Sequence, residues 1–211
     1  MSTLEALKQY VIDGNAPEVE SGVQKALEER LTPDAILYQA LIPAMAEVGA
    51  RFERQEFFVP EMLVAARAMQ HGMEVLRPLL VESGVQPIAK VVIGTVQGDL
   101  HDIGKKLVAM MLEGAGFEVL DLGVDVKPDQ FVKAAAEGAQ VVAMSALLTT
   151  TMANMKTVIK ALDEAGVRDK VKIIIGGAPV TEAFAANIGA DGYAPDASSA
   201  VTRTKALLGL G

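Results

Sequence analysis

The chain has 211 residues, 51% hydrophobic and 22% charged, a composition ordinary for a water-soluble globular protein and long enough to bury a substantial core. It contains no Cys, no Trp and only two His, which excludes disulfide frameworks, iron–sulfur clusters, thiolate zinc sites, cysteine nucleophiles and three-histidine metal centres. A net charge of −8 argues against nucleic acid as a partner, and with neither a signal peptide nor an apolar run of membrane-spanning length the chain reads as cytoplasmic.

The first 84 residues carry helical periodicity. Gly14 and Leu31 end two short helical runs, and Thr32-Pro33 is a start signal with proline at the first helical position. Val59, Met62, Leu63, Ala66, Met69, Met73 and Leu76 recur at i, i+3, i+4 spacing and mark one apolar helix face. The expectation is four helices, over about 3–14, 17–30, 33–54 and 59–83, packed as a bundle. His71 lies about half a turn from the apolar stripe and reads as a surface residue.

Glu82–Lys90, with Gly84 and Pro87, interrupts the pattern, and residues 89–211 alternate strand with helix. K-V-V-I-G-T-V, F-E-V-L-D-L-G, V-V-A-M-S-A-L, V-K-I-I-I-G-G and the weaker D-G-Y-A-P are the strands. Helices begin near Asp102, Lys127, Thr151, Thr181 and Ala197. The reading is an α/β domain with a five-stranded parallel sheet covered on both faces, preceded by the helical bundle. Ligands of such sheets sit beyond the carboxyl ends of the strands at a topological switch point, so the loops after strands one, three and four are the places to look.

The first of these loops is Gly98-Asp99-Leu100-His101-Asp102-Ile103-Gly104. It is neither a dinucleotide fingerprint nor a Walker loop. It holds the one loop histidine, flanked by two carboxylates, and a carboxylate two residues away can orient the ring and fix its tautomer. By itself the pattern also suits a surface histidine with Asp102 capping the next helix. The third strand ends in Ser145-Ala146-Leu147, followed by Leu148 and the hydroxyls of Thr149, Thr150 and Thr151; the fourth ends in Gly176-Gly177. Taken alone, the glycines suit a tight turn and the threonines a helix cap.

In order, Asp99-x-His101-x-x-Gly104, then Ser145-x-Leu147, then Gly176-Gly177, resemble the cobalamin-binding domain family, whose fold is Rossmann-like or flavodoxin-like. The resemblance implies a corrinoid cofactor with His101 as the lower axial cobalt ligand, Asp99 bonded to its other ring nitrogen and Thr151 as the hydroxyl member of that relay. Gly98, Leu100, Asp102, Ile103 and Gly104 would surround the ligand. Leu147 and Thr149 would also contact the cofactor, and Ser145, Gly176 and Gly177 would line the crevice for its tail.

In the helical half, Gly49-x-x-Phe52 followed by Phe57-Phe58-Val59-Pro60 resembles the cap of methionine synthase and of methyltransferase corrinoid proteins. That likeness implies that Phe52, Phe58, Val59 and Met62 cover the upper corrinoid face; for Phe57 a core position is the competing reading. The resemblance spans nearly the whole chain and implies a methyl carrier cycling between Co(I) and methyl-Co(III). Its partners would be a substrate-specific methyltransferase, an acceptor methyltransferase working to a thiol or tetrahydropterin, and a reductive activase. A mutase subunit and a B12 storage or sensing protein are the alternatives.

Overall fold

The computed structural model describes residues 1–210, which form two compact units: Met1–Pro87 with Gly114–Gly116, and Ile88–Glu113 with the residues from Phe117 on.

The first unit is helical: α1 (Thr3–Ile12), α2 (Ala16–Glu28), α3 (Pro33–Ile36), a π-helical turn (Leu37–Leu41), α4 (Ile42–Glu53) and α5 (Val59–Glu82). Local chemistry sets the starts. Ser2 and Glu5 form a reciprocal capping box on α1, Asn15 caps α2, and Thr32 caps α3 with Pro33 at its first position. The third expected helix is continuous from α3 to α4 but widens at the π turn. Pro43 has no N–H with which to bond the Gln39 carbonyl, and the Ile42 N–H reaches back five residues to Leu37 instead.

The buried face of α5 is Met62, Ala65, Ala66, Ala68, Met69, Gly72, Leu76 and Leu80, displaced from the expected stripe. Gly72 lies on that face and packs tightly, since a Cβ there would stand 2.9 Å from Val19 of α2 and 3.5 Å from Leu41. Val59 is left exposed, Leu63 and Met73 are only partly covered, and His71 is half-buried rather than on the open surface.

The second unit alternates β1 (Lys90–Thr95), α6 (Ile103–Gly114), β2 (Glu118–Asp121), α7 (Pro128–Ala136), β3 (Val141–Ser145), α8 (Thr149–Glu164), β4 (Lys172–Gly176), α9 (Glu182–Ile188), β5 (Gly192–Tyr193) and α10 (Ala197–Leu207). The five strands are parallel in the order β2-β1-β3-β4-β5, so the fold is α/β as expected. β1 and β3 are central and apolar on both faces, as strands roofed by helices must be. Phe131 of α7 is fully buried and lies so close to β1 that a Cβ on Gly94 would stand 2.8 Å from its ring, which requires glycine in that strand.

The chain leaves β1 toward β2 on one side and returns to β3 on the other, so the switch point lies beyond the carboxyl ends of β1 and β3. The register there aligns Thr95 with Ser145, and Ser145 with Gly176. Three strand-end segments far apart in sequence thus meet along one sheet edge.

Candidate functional site

Asp99 occupies the centre of this edge. It is wholly buried, although it lies in a loop, and its two oxygens are divided between two tasks. Oδ1 accepts the His101 backbone N–H at 3.1 Å and faces His101 Nδ1 at 2.7 Å. Oδ2 accepts the Thr151 hydroxyl at 2.6 Å and the backbone N–H groups of Leu147 and Leu148 at 2.8 and 3.3 Å.

The second set explains how a buried carboxylate is tolerated. Leu147 and Leu148 immediately precede α8, where the first amides lack helical partners and the helix dipole favours negative charge. Asp99 serves as that anion from another loop, and no side chain caps α8 locally. The threonine run is therefore not a helix cap. α8 starts at Thr149, two residues before the expected start, which puts Thr151 in the first turn with its hydroxyl on Asp99. Burial works to raise the pKa of Asp99, but the bonds from Thr151, the Leu147 amide and His101 outweigh it and hold the carboxyl well below the usual carboxylate range.

An ionised carboxylate only accepts, so Nδ1 of His101 must be the donor and carries a proton. In the neutral ring Nε2 then keeps the free lone pair, as in imidazoles that bind metals. The ring is 52% exposed, so this nitrogen is not sealed in the core. Thr95, buried at the end of β1, donates its hydroxyl to the His101 carbonyl at 2.8 Å and fixes the backbone on the far side.

Exposed apolar side chains flank His101 in its own loop and in the Asp99-bonded segment before α8. Leu100, Ile103, Leu147 and Leu148 are all exposed, and a Cβ on Gly104 would meet nothing within 4 Å. Asp102 does not share the histidine; its carboxylate pairs with Lys106 one turn along. Ser145 is half-buried at the end of β3, and Thr149 is exposed at the start of α8.

Gly176 and Gly177 have a packing reason of their own. A Cβ on Gly177, at φ +125°, would lie 1.8 Å from the Ala146 carbonyl oxygen, and one on Gly176 would lie 2.8 Å from that of Ala194. Gly98, at φ +84°, leaves room beside the Thr151 methyl.

In the helical unit the α4–α5 segment carries a set of ion pairs. Arg51 pairs with Glu47 at 2.9 Å and its guanidinium lies 5.2 Å from the centre of the Phe57 ring; Arg54 holds Glu56 at 2.8 Å. Phe57 is thus a half-buried partner of an arginine. Phe52 is half-buried, Met62 is fully buried, and Phe58 and Val59 are exposed at the start of α5.

Several participants were not singled out from the sequence. The amides of Leu147 and Leu148 carry no side-chain signal. Thr95 is the one hydroxyl within the apolar β1 run, which is a usable hint. Lys105, buried in the first turn of α6, is ion-paired with Asp121 at the end of β2 and ties those two segments together. Asp125 and Asn154 also bond the His101 loop. Among the described residues no cluster of three His, Asp or Glu could hold a metal ion unaided, and no helix is long and apolar enough to cross a membrane.

Comparison with known proteins is consistent along the whole chain. Residues 89–202 match a B12 binding domain model, and residues 3–77 match a second model of the same description. A dimethylamine corrinoid protein of Methanosarcina barkeri is 45% identical over 207 residues, 97% of each chain. A corrinoid protein of Desulfitobacterium hafniense is 40% identical over 213 residues, 99% of each. Among solved structures, a cobalamin-binding protein from Desulfitobacterium hafniense superposes with a TM-score of 0.79 at 32% identity, covering 96% of this chain and 97% of that one. The methanol:cobalamin methyltransferase complex of Methanosarcina barkeri contains a chain that superposes with a TM-score of 0.87 at 29% identity, covering 98% and 80%.

Proposed function

The chain belongs to the family of B12-binding corrinoid proteins and takes a corrinoid cofactor, and from that premise we propose that it is the methyl-carrying subunit of a multicomponent methyltransferase system. The observation that carries the reading is the His101 imidazole, with Nδ1 engaged by a buried carboxylate and Nε2 free, set at the switch point of the sheet amid exposed apolar side chains. A bound corrinoid would supply the cobalt chemistry by which a methyl group is carried. The corrinoid would bring its own metal ligands, so one protein nitrogen would suffice, and a chain with two histidines can provide it.

In this reading His101 Nε2 would be the protein nitrogen that holds the cobalt. Asp99 holds Nδ1–H, which keeps the lone pair on Nε2 and fixes the ring plane; Thr151 and the Leu147 amide keep Asp99 ionised. Gly98, Leu100, Asp102, Ile103 and Gly104 are assigned to the lower face of the ring. Ser145, Gly176 and Gly177 would line the crevice for the cofactor's tail, with Leu147 and Thr149 as further contacts to the cofactor. Phe52, Phe58, Val59 and Met62 of the bundle are assigned to the upper face.

The partners in this reading are a methyl-donor methyltransferase, an acceptor methyltransferase and a reductive activase. The likeness to dimethylamine and trimethylamine corrinoid proteins supports a methylated amine as the donor to test first. The experiment is reconstitution of the purified protein with cobalamin, beside His101→Ala. The wild-type protein should show a histidine-ligated spectrum and accept a methyl group from a methylamine–corrinoid methyltransferase. His101→Ala should hold the cofactor more weakly and lose that spectrum. An unchanged spectrum in the variant would sink the ligand assignment, and inertness of the wild type toward methylamine and methanol systems alike would sink the carrier reading.

A further inference from the structure

Building on the corrinoid reading above, we propose that Asp125 and Asn154 are positioning residues that clamp the Gln97–Gly98 peptide and thereby set the direction in which Asp99 and His101 are presented. One peptide unit is held at both ends. The Gln97 carbonyl accepts Asn154 Nδ2 from α8 at 2.7 Å, and the Gly98 N–H donates to Asp125 Oδ1, in the loop after β2, at 2.7 Å. A trans peptide points its C=O and N–H to opposite sides, so gripping both removes rotation of the plane about the line joining its Cα atoms.

That rotation matters because the peptide is the centre of a β-turn. The Asp99 N–H bonds the Val96 carbonyl at 3.1 Å, Gly98 has φ +84°, and Gln97 is not left-handed. These are the marks of a type II turn with glycine at its third position. Types I and II differ mainly by a flip of the central peptide, and glycine is at home in either. The flipped form would turn the Gln97 carbonyl oxygen toward the Asp125 carboxylate, two acceptors with no proton between them, and would require Asn154 to turn its amide over to meet the Gly98 N–H. The clamp therefore selects one turn at the residue immediately before the buried carboxylate.

Asp125 reaches forward as well, since its own N–H donates to the Asp99 carbonyl at 3.0 Å. It serves two neighbouring residues because its backbone is left-handed, at φ +53°, a conformation that Asp and Asn tolerate better than other side chains. Beyond Asp99 the loop is tied by Thr95, Thr151 and the α8 amides; the Gln97–Gly98 peptide is the part those contacts do not reach.

The test is a series of four variants: Asp125→Asn keeps the acceptor and the left-handed preference, Asp125→Gly keeps only the backbone freedom, Asn154→Ala removes the second grip, and Asp125→Gly/Asn154→Ala removes both. In the cofactor-free protein, hydrogen exchange at the Gly98 amide and the ¹⁵N shifts of the His101 ring are measured. In the cobalamin-loaded protein, nitrogen splitting in the Co(II) electron paramagnetic resonance spectrum reports the histidine-ligated fraction. The double variant should raise Gly98 exchange and cofactor release about tenfold, with a smaller histidine-ligated fraction; Asp125→Gly and Asn154→Ala should each raise them about threefold, and Asp125→Asn should behave as wild type. Wild-type exchange and ring shifts in the double variant, or an Asp125→Asn no better than Asp125→Gly, would overturn the proposal. A wild-type protein that loads cobalamin without nitrogen splitting would instead overturn the ligand reading, while the cofactor-free measurements still decide the clamp.

Discussion

Replacing Thr151 by Val removes a single oxygen from the site and leaves its shape. The oxygen donates at 2.6 Å to a carboxylate that has no solvent exposure, so water cannot take its place. Hydrogen bonds to charged groups contribute about 1.5–3 kcal/mol. The methyl that replaces the hydroxyl returns up to about 0.8 kcal/mol by apolar burial. The net loss is therefore about 1–2 kcal/mol, equivalent to a rise of about one unit in the Asp99 pKa of the folded protein.

The pH dependence follows from the direction of the shift. Asp99 is depressed in the folded state, so its stabilisation is complete above the unfolded carboxyl value of about 3.9 and is lost as pH falls through the folded value. The gap between wild type and Thr151→Val should be full at pH 7 and close in acid. Urea titrations of the cofactor-free protein, followed through the amide signals of β1 and β3, isolate the α/β unit. A gap under about 0.5 kcal/mol at pH 7, or one that widens as pH falls, refutes the account of how Asp99 is kept ionised.

The glycines of the site should separate by cause. Gly177→Ala places a Cβ against the Ala146 carbonyl at a left-handed φ and should cost about 2–3 kcal/mol or more in urea titrations, whereas Gly104→Ala meets no atom and should leave folding within about 1 kcal/mol of wild type while weakening cobalamin retention. Equal stability losses in the two would contradict the assignment of one to packing and the other to the cofactor. In the Lys105–Asp121 pair, Asp121→Leu leaves a buried ammonium without its partner and should cost about 3 kcal/mol, more than Lys105→Met, which leaves a carboxylate that is still one-third exposed. Denaturation midpoints in the opposite order would show that burial of Lys105 is not what makes the pair matter. Pro43→Ala restores an N–H that can reach the Gln39 carbonyl, and should convert the π turn to α-helix in a structure of the variant; a persisting π turn would place its cause elsewhere.

Much of this architecture follows from local rules that act within a few residues. Helical spacing, Ser2, Asn15 and Thr32 as caps, and prolines at helix starts specify the bundle helices to within a few residues. β-branched apolar runs separated by helical stretches specify five parallel strands, and their connection rules put any ligand beyond the carboxyl ends. Asp99 and His101 are two residues apart, so even their hydrogen bond is within reach of sequence reasoning. Other features are set by packing between distant segments. Gly72 on the buried face of α5 packs tightly against α2, a contact that periodicity alone does not reveal.

The centre of the site shows the division most clearly. The sequence by itself determined that one loop histidine stands beside a carboxylate at the end of the first strand. Only the tertiary structure decided that this carboxylate would be buried and ionised, because that depends on donors 48 and 52 residues away in the chain: the Leu147 amide and the Thr151 hydroxyl at the start of α8. Backbone amides look alike in every residue type, and it is the register of β1 with β3 that aims these two at Asp99.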